Sequence, residues 1–207
     1  VCNNKPMTEK IKVSQHHHLR HWHHVYKKHR RRALHISAKQ MSYAQIISLI
    51  GSIIAGVLLD ANKTTLAAFA GAFVILPGVF DMSGSLGASL SAKINHRLEE
   101  ARASTWRIFS ASTLFTFTIA VFAGALVSLL GAGIASLFFD ASWWRVFLLS
   151  ELAIISCSVF GFPFIGLLCI VLRKIGLNPD DIVGPIESSV FDILTVLSLG
   201  IIAGLML

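Results

Sequence analysis

Charge is scarce in this sequence. Only 14% of its 207 residues are Asp, Glu, Lys or Arg, where a soluble domain carries about 25%. An ordinary soluble domain is thereby excluded. Apolar and polar residues do not alternate with period two, which excludes a membrane barrel and leaves helices as the spanning elements. The three cysteines, Cys2, Cys157 and Cys169, form no close pair, so neither a zinc cluster nor a disulfide scaffold is expected. Cys157 and Cys169 share one apolar run and should act as small core hydrophobes. No apolar run contains a histidine, and His96 is expected in a loop. A soft-metal site within the spans is excluded on that ground. No short apolar region with a small-residue cleavage site follows the basic start, so no cleavable signal peptide is expected.

What is abundant is apolar length. Hydrophobic residues make up 54% of the chain and the mean hydropathy is +0.68. The runs predict an all-α integral membrane protein with five transmembrane helices in a domain over 41–207. The first span is Tyr43 to Leu59, followed by a polar turn, Asp60-Ala-Asn-Lys-Thr-Thr. The second starts near Leu66 and reaches Val79. Pro77-Gly78, Gly84 and Gly87 then predict a bent or interrupted helix from Leu76 to Ala92, lining something polar. A charged loop or amphipathic segment is expected from Lys93 to Arg107. The third run, Ile108 to Phe139, is longer than one crossing needs and should tilt or end in a turn after Gly131-Ala-Gly133. Trp143 and Trp144 read as interface anchors before the fourth run, Val146 to Leu172, with a kink expected at Gly161-Phe-Pro163. Gly184-Pro185 opens the fifth helix, whose 23 residues from Pro185 to Leu207 suffice for a hydrocarbon core of about 30 Å.

Basic residues orient the spans. Ten of the 18 Lys and Arg precede residue 41, and the segments 93–107 and 173–174 raise the total on that side to 16. Lys63 and Arg145 stand alone on the other. The N-terminus is therefore expected inside and the C-terminus outside. The net charge of +7 reflects this asymmetry and is no sign of nucleic-acid binding. Residues 1–40 form a basic, His-rich arm, His16-His17-His18-Leu19-Arg20-His21-Trp22-His23-His24 followed by Lys27-Lys28-His29-Arg30-Arg31-Arg32. It is expected to lie on anionic lipid through its charge, Trp22 and Tyr26. Metal capture by the histidines is the alternative.

Few residues inside the spans can carry chemistry. Asp192 lies seven residues past Pro185, roughly 10 Å into the fifth helix. A carboxylate at that depth costs about 2.5–3.5 kcal/mol on insertion and marks a polar pathway. Ser188 and Ser189 stand four and three residues before it, on the same helix face. Asp81 lies among the glycines of the second span. It faces the pathway or satisfies backbone N–H groups freed by the break. Glu187 in the first turn either caps the helix or contacts an ion. Asp181 reads as a loop acid near an entrance, and Glu151 as a residue near the outer end of its span that snorkels outward. Few acids beside hydroxyls suit a hydrated cation such as magnesium, which gives up its water reluctantly.

Two stretches resemble a known family. Gly176-Leu-Asn-Pro179-Asp-Asp-Ile-Val-Gly184-Pro185-Ile-Glu-Ser188-Ser189-Val-Phe-Asp192 is similar to the opening of the last transmembrane helix in MgtE-type magnesium channels and the related eukaryotic magnesium solute carriers. Leu76-Pro77-Gly-Val-Phe-Asp81-Met-Ser-Gly84-Ser-Leu-Gly87-Ala resembles their second-helix segment, with Ser83-Gly84-Ser85 where the family has Gly-Gly-Asn. Glu187 stands at a commonly apolar position. The resemblance spans Tyr43 to Leu207, without an acidic sensor domain, as in half-size archaeal forms. It implies a divalent-cation channel or transporter, not an enzyme, with Asp192 as the central ion-binding carboxylate and Asp81, Glu187, Ser188 and Ser189 beside it. Pro77, Gly84, Gly87, Gly184 and Pro185 would shape the pore helices. The implied assembly is a homodimer, or a heterodimer with a sister subunit, in the cell membrane as a multi-pass protein, carrying magnesium as cargo and needing no cofactor. Ion-coupled exchange is the alternative mechanism. An intramembrane aspartic protease using Asp81 and Asp192 is the alternative of another class.

Overall fold

A computed structural model describes residues 38–100 and 105–207. The His-rich arm up to residue 37 and Cys2 lie outside the described residues. Helix α1 spans Ala38–Ala61, α2 Lys63–Ala67, α3 Ala72–Glu100, α4 Thr105–Phe139, α5 Trp143–Lys174 and α6 Pro179–Met206. All but α2 are long and apolar enough to cross a membrane, so the chain is an all-helical, multi-pass membrane protein.

Packing among α3, α4, α5 and α6 forms the core, with α3 and α5 standing between α4 and α6. In lipid, helices do not associate to hide apolar surface, so close backbone approach matters most. α4 supplies it with a buried stripe of small side chains at every fourth position: Ser112, Thr116, Ala120, Gly124, Ser128 and Ala132. Its opposite face carries exposed Leu114, Phe122, Leu130 and Leu137, suited to acyl chains. The stripe meets α5, whose buried face includes Leu149, Ala153, Cys157, Ile165 and Cys169. Both cysteines are fully buried and free, as small hydrophobes should be. Trp143, Trp144 and Phe147 stack mutually at 5.6–5.8 Å where α5 begins.

Three sequence expectations about the helices are corrected. α3 is unbroken through Pro77, Gly84 and Gly87, so the interruption expected over Leu76 to Ala92 is absent. A proline in a spanning helix removes one hydrogen bond that surrounding protein can compensate, and the glycines serve packing and the cleft described below. His96, expected in a loop, lies on α3, which continues to Glu100. α6 opens at Pro179, not at Pro185, which sits inside it. Asn178 is the stronger start: its Oδ1 accepts from the Asp180 N–H at 3.3 Å, with Pro179 at the first helical position and Asp180 and Asp181 in the first turn. Just before it, Gly176 at φ +79° ends α5, while the Leu177 N–H bonds the Leu172 carbonyl at 3.0 Å. That is a Schellman closure, which needs the left-handed conformation glycine adopts freely.

These ends are tied together. Arg173 Nη1 donates to the carbonyl and Oδ1 of Asn95 at 3.0 and 3.1 Å. Asn95 Nδ2 in turn donates to Asp180 Oδ1 at 2.8 Å. One asparagine, 5% exposed, thus joins α3, α5 and α6. Asn95→Ala removes its side-chain bonds to both charged partners. We expect a loss of about 2 kcal/mol, seen as a thermal unfolding midpoint lower by about 4–8 °C in detergent.

Candidate functional site

α3 and α6 run side by side and leave a cleft of about 410 Å³ between their polar faces. Phe80, Asp81, Gly84, Ser85 and Ala88 line it from α3. Gly184, Glu187, Ser188 and Asp192 line it from α6. The spacings of three and four put each set on one helical face. A Cβ at Gly84 or Gly184 would meet nothing within 4 Å, so these glycines widen the cleft and do not break a helix.

The carboxylates differ in setting. Asp81 is exposed and Asp192 half-buried; both face the cleft. Glu187 is 2% exposed and its Oε2 has no hydrogen-bond partner. Being the ninth residue of α6, it caps nothing; Asn178 fills that role. Its carboxylate fits because Gly87 of α3 has no side chain: a Cβ there would collide with Glu187 Oε1 and Phe191 Cε2. Gly87→Ala therefore has to push Glu187 and Phe191 away from the cleft wall. We expect divalent-cation flux to fall about tenfold, corresponding to about 1.4 kcal/mol of displaced geometry, measured against Gly133→Ala on α4, which lies outside the cleft lining, whose added Cβ meets nothing within 4 Å and which should keep its flux.

Not every expected residue arrives. Ser189 is buried on another face of α6, donating to the Ile186 carbonyl at 2.9 Å. A Cβ at Gly51 of α1 would lie 2.7 Å from Ser189 Cβ, so Ser189 belongs to the α1–α6 seam. Pro77, Gly87 and Pro185 do not line the cleft. Ser85, Phe80 and Ala88 were not singled out in the sequence, although their three- and four-residue spacing from Asp81 and Gly84 carries the signal. Behind Asp192, on the buried side of α6, the Cys157 thiol lies 3.5 Å from the Thr195 hydroxyl. The Ser83 hydroxyl is buried beside that thiol without a geometrically sound hydrogen bond.

Among the described residues, no three His, Cys, Asp or Glu side chains stand close enough to grip one ion together. The arrangement instead offers separated carboxylates and hydroxyls around water-sized space. It can attract a divalent cation, hold it through its hydration shell, and pass it along the cleft.

Comparison with known proteins accords with that chemistry. The family model MgtE, described as a divalent cation transporter, matches residues 76–202. The match takes in nearly all of α3 and α6 and the whole of α4 and α5. No curated protein sequence matches the chain.

Proposed function

The chain belongs to the MgtE family of divalent cation transporters, and on that premise we propose that it moves hydrated Mg²⁺ through the α3–α6 cleft. Asp192 is the principal ion-binding carboxylate. Asp81 faces the same space from α3, Ser188 offers a hydroxyl to the water shell, and Glu187 adds a carboxyl group at the wall. The observation that carries this reading is the meeting of Asp81, Glu187, Ser188 and Asp192 around one cleft from two spanning helices. Asp81, Ser85, Ala88, Gly184 and Ser188 of its lining are exposed, and a second copy or a sister subunit facing them completes the pore. The basic asymmetry supports an N-terminus inside and a C-terminus outside, in the cell membrane, and the charge of residues 1–40 suits anionic lipid. Transport requires no resident cofactor and no bond-making step.

Magnesium influx into liposomes containing the purified chain tests the reading, with Mn²⁺, Co²⁺ and Ca²⁺ as competitors. Saturable influx, competed better by Mn²⁺ and Co²⁺ than by Ca²⁺, is expected, because Ca²⁺ prefers six to eight flexible oxygen ligands. The absence of influx for every divalent ion overturns it. Dependence of the influx on an imposed sodium or proton gradient separates exchange from channel flow.

A further inference from the structure

A carboxylate that the cleft does not use lies in the seam between α4 and α5. Glu151 is the ninth residue of α5, about 12 Å into the helix. The expectation that it snorkels is not met: it is 9% exposed, and its Oε2 accepts from Ser128 Oγ at 3.2 Å. Four residues earlier on α4, Gly124 makes the space. A Cβ there would stand 3.1 Å from Glu151 Oε2 and 3.0 Å from Ile154 Cγ2. Gly124 and Ser128 thus form a cradle on one face of α4, and the carboxylate rests in it.

The cradle contains little to hold a charge. Among the described residues, Ser128 is the one polar group bonded to Glu151, and no Lys, Arg or His pairs with it. Arg145 on its own helix and Asp140 in the α4–α5 turn are exposed and not bonded to it. α3 and α6, packed on α5, direct Asp81, Glu187 and Asp192 to the cleft instead. One hydroxyl offsets only part of the cost of a bare carboxylate at membrane depth. A methyl at Gly124 would already touch the carboxylate, so a hydrated divalent cation has no place here. A proton needs no extra space.

We propose that Glu151 is a proton-binding site separate from the cation cleft, and that its occupancy sets the rate of divalent-cation transport. The inference rests on the transport reading above. On binding, a proton from water forms an O–H bond to the carboxylate and neutralises it; on release the proton returns to water and Ser128 alone faces the charge. α5 is the connection to the cleft. Gly161 of α5 lies against the ring of Phe191, the residue preceding Asp192, and the Cys157 thiol approaches the Phe191 carbonyl at 3.9 Å.

The test is Mg²⁺ influx into proteoliposomes from about pH 5.5 to about pH 8.5 for wild type, Glu151→Gln and Ser128→Ala. Wild-type influx should change about fivefold or more over that range, and Glu151→Gln should flatten the profile while still transporting. Ser128→Ala keeps the carboxyl and should preserve the shape while displacing the midpoint by about half a pH unit; it decides the matter alone if the glutamine variant does not fold. A flat wild-type profile, or the wild-type profile retained in both variants, overturns the proposal. So does a lower rate with unchanged pH dependence, which a purely structural role would give. Absence of wild-type influx at every pH overturns the transport reading itself, and this inference with it.

Discussion

Asp192→Ala should abolish Mg²⁺ influx while leaving the fold intact. Among the described residues Asp192 makes no hydrogen bond or ion pair that helix packing depends on. Its removal also relieves a carboxylate at membrane depth, a cost of about 2.5–3.5 kcal/mol on insertion scales. The folded state therefore loses nothing it needs. The pathway loses the charge that draws a dication out of bulk water into a low-dielectric passage. A loss of about 2.8 kcal/mol of cation stabilisation already lowers occupancy about 100-fold. Influx should fall by at least that factor, with a thermal unfolding midpoint at or above that of wild type. Normal influx through the alanine variant would remove Asp192 from the pathway.

Replacing Glu187 should separate stability from function. Its side chain is 2% exposed, Oε2 has no partner, and Oε1 is fitted against Gly87. A buried polar atom without a partner costs about 1–3 kcal/mol. Methionine has similar length and flexibility and no such requirement. Glu187→Met should raise the unfolding midpoint by about 2–6 °C and lower Mg²⁺ influx about tenfold by removing a polar group from the wall. A stabilised variant with full influx would make Glu187 a passive wall residue. A destabilised one would mean that the carboxylate has a structural partner within the fold.

The existence of the spans was legible because apolar length leaves little choice: a run long enough to cross hydrocarbon folds as a helix. The ends were less legible. Pro185 looks like a helix start, yet Asn178-Pro179 offers a side-chain cap as well as a fixed φ, and the helix begins there. The glycines at 84 and 87 look like breaks, because a sequence does not reveal which neighbour fills the missing side chain's place. Gly87 makes room for Glu187 and Phe191. That Asp192 and Ser188 face one side of α6 could be read from their spacing. Ser189 misled for a physical reason: positions three and four before Asp192 both lie near its face, and the packing of α1 through Gly51 against Ser189 separates them. The Glu151–Ser128 contact joins two residues 23 apart in sequence, on α4 and α5, and no local pattern announces it.

The central claim is that the α3–α6 cleft is the path of the cation, and Ser188 gives the most direct access to it. The serine is exposed and lines the cleft, while Cys157 and Cys169 are fully buried and offer a quiet background once Cys2 is changed to Ser. Ser188→Cys in liposomes would be treated with a small cationic methanethiosulfonate during Mg²⁺ influx. The account predicts that modification stops influx and that millimolar Mg²⁺ slows the modification. Complete modification of the introduced thiol with influx unchanged would contradict it.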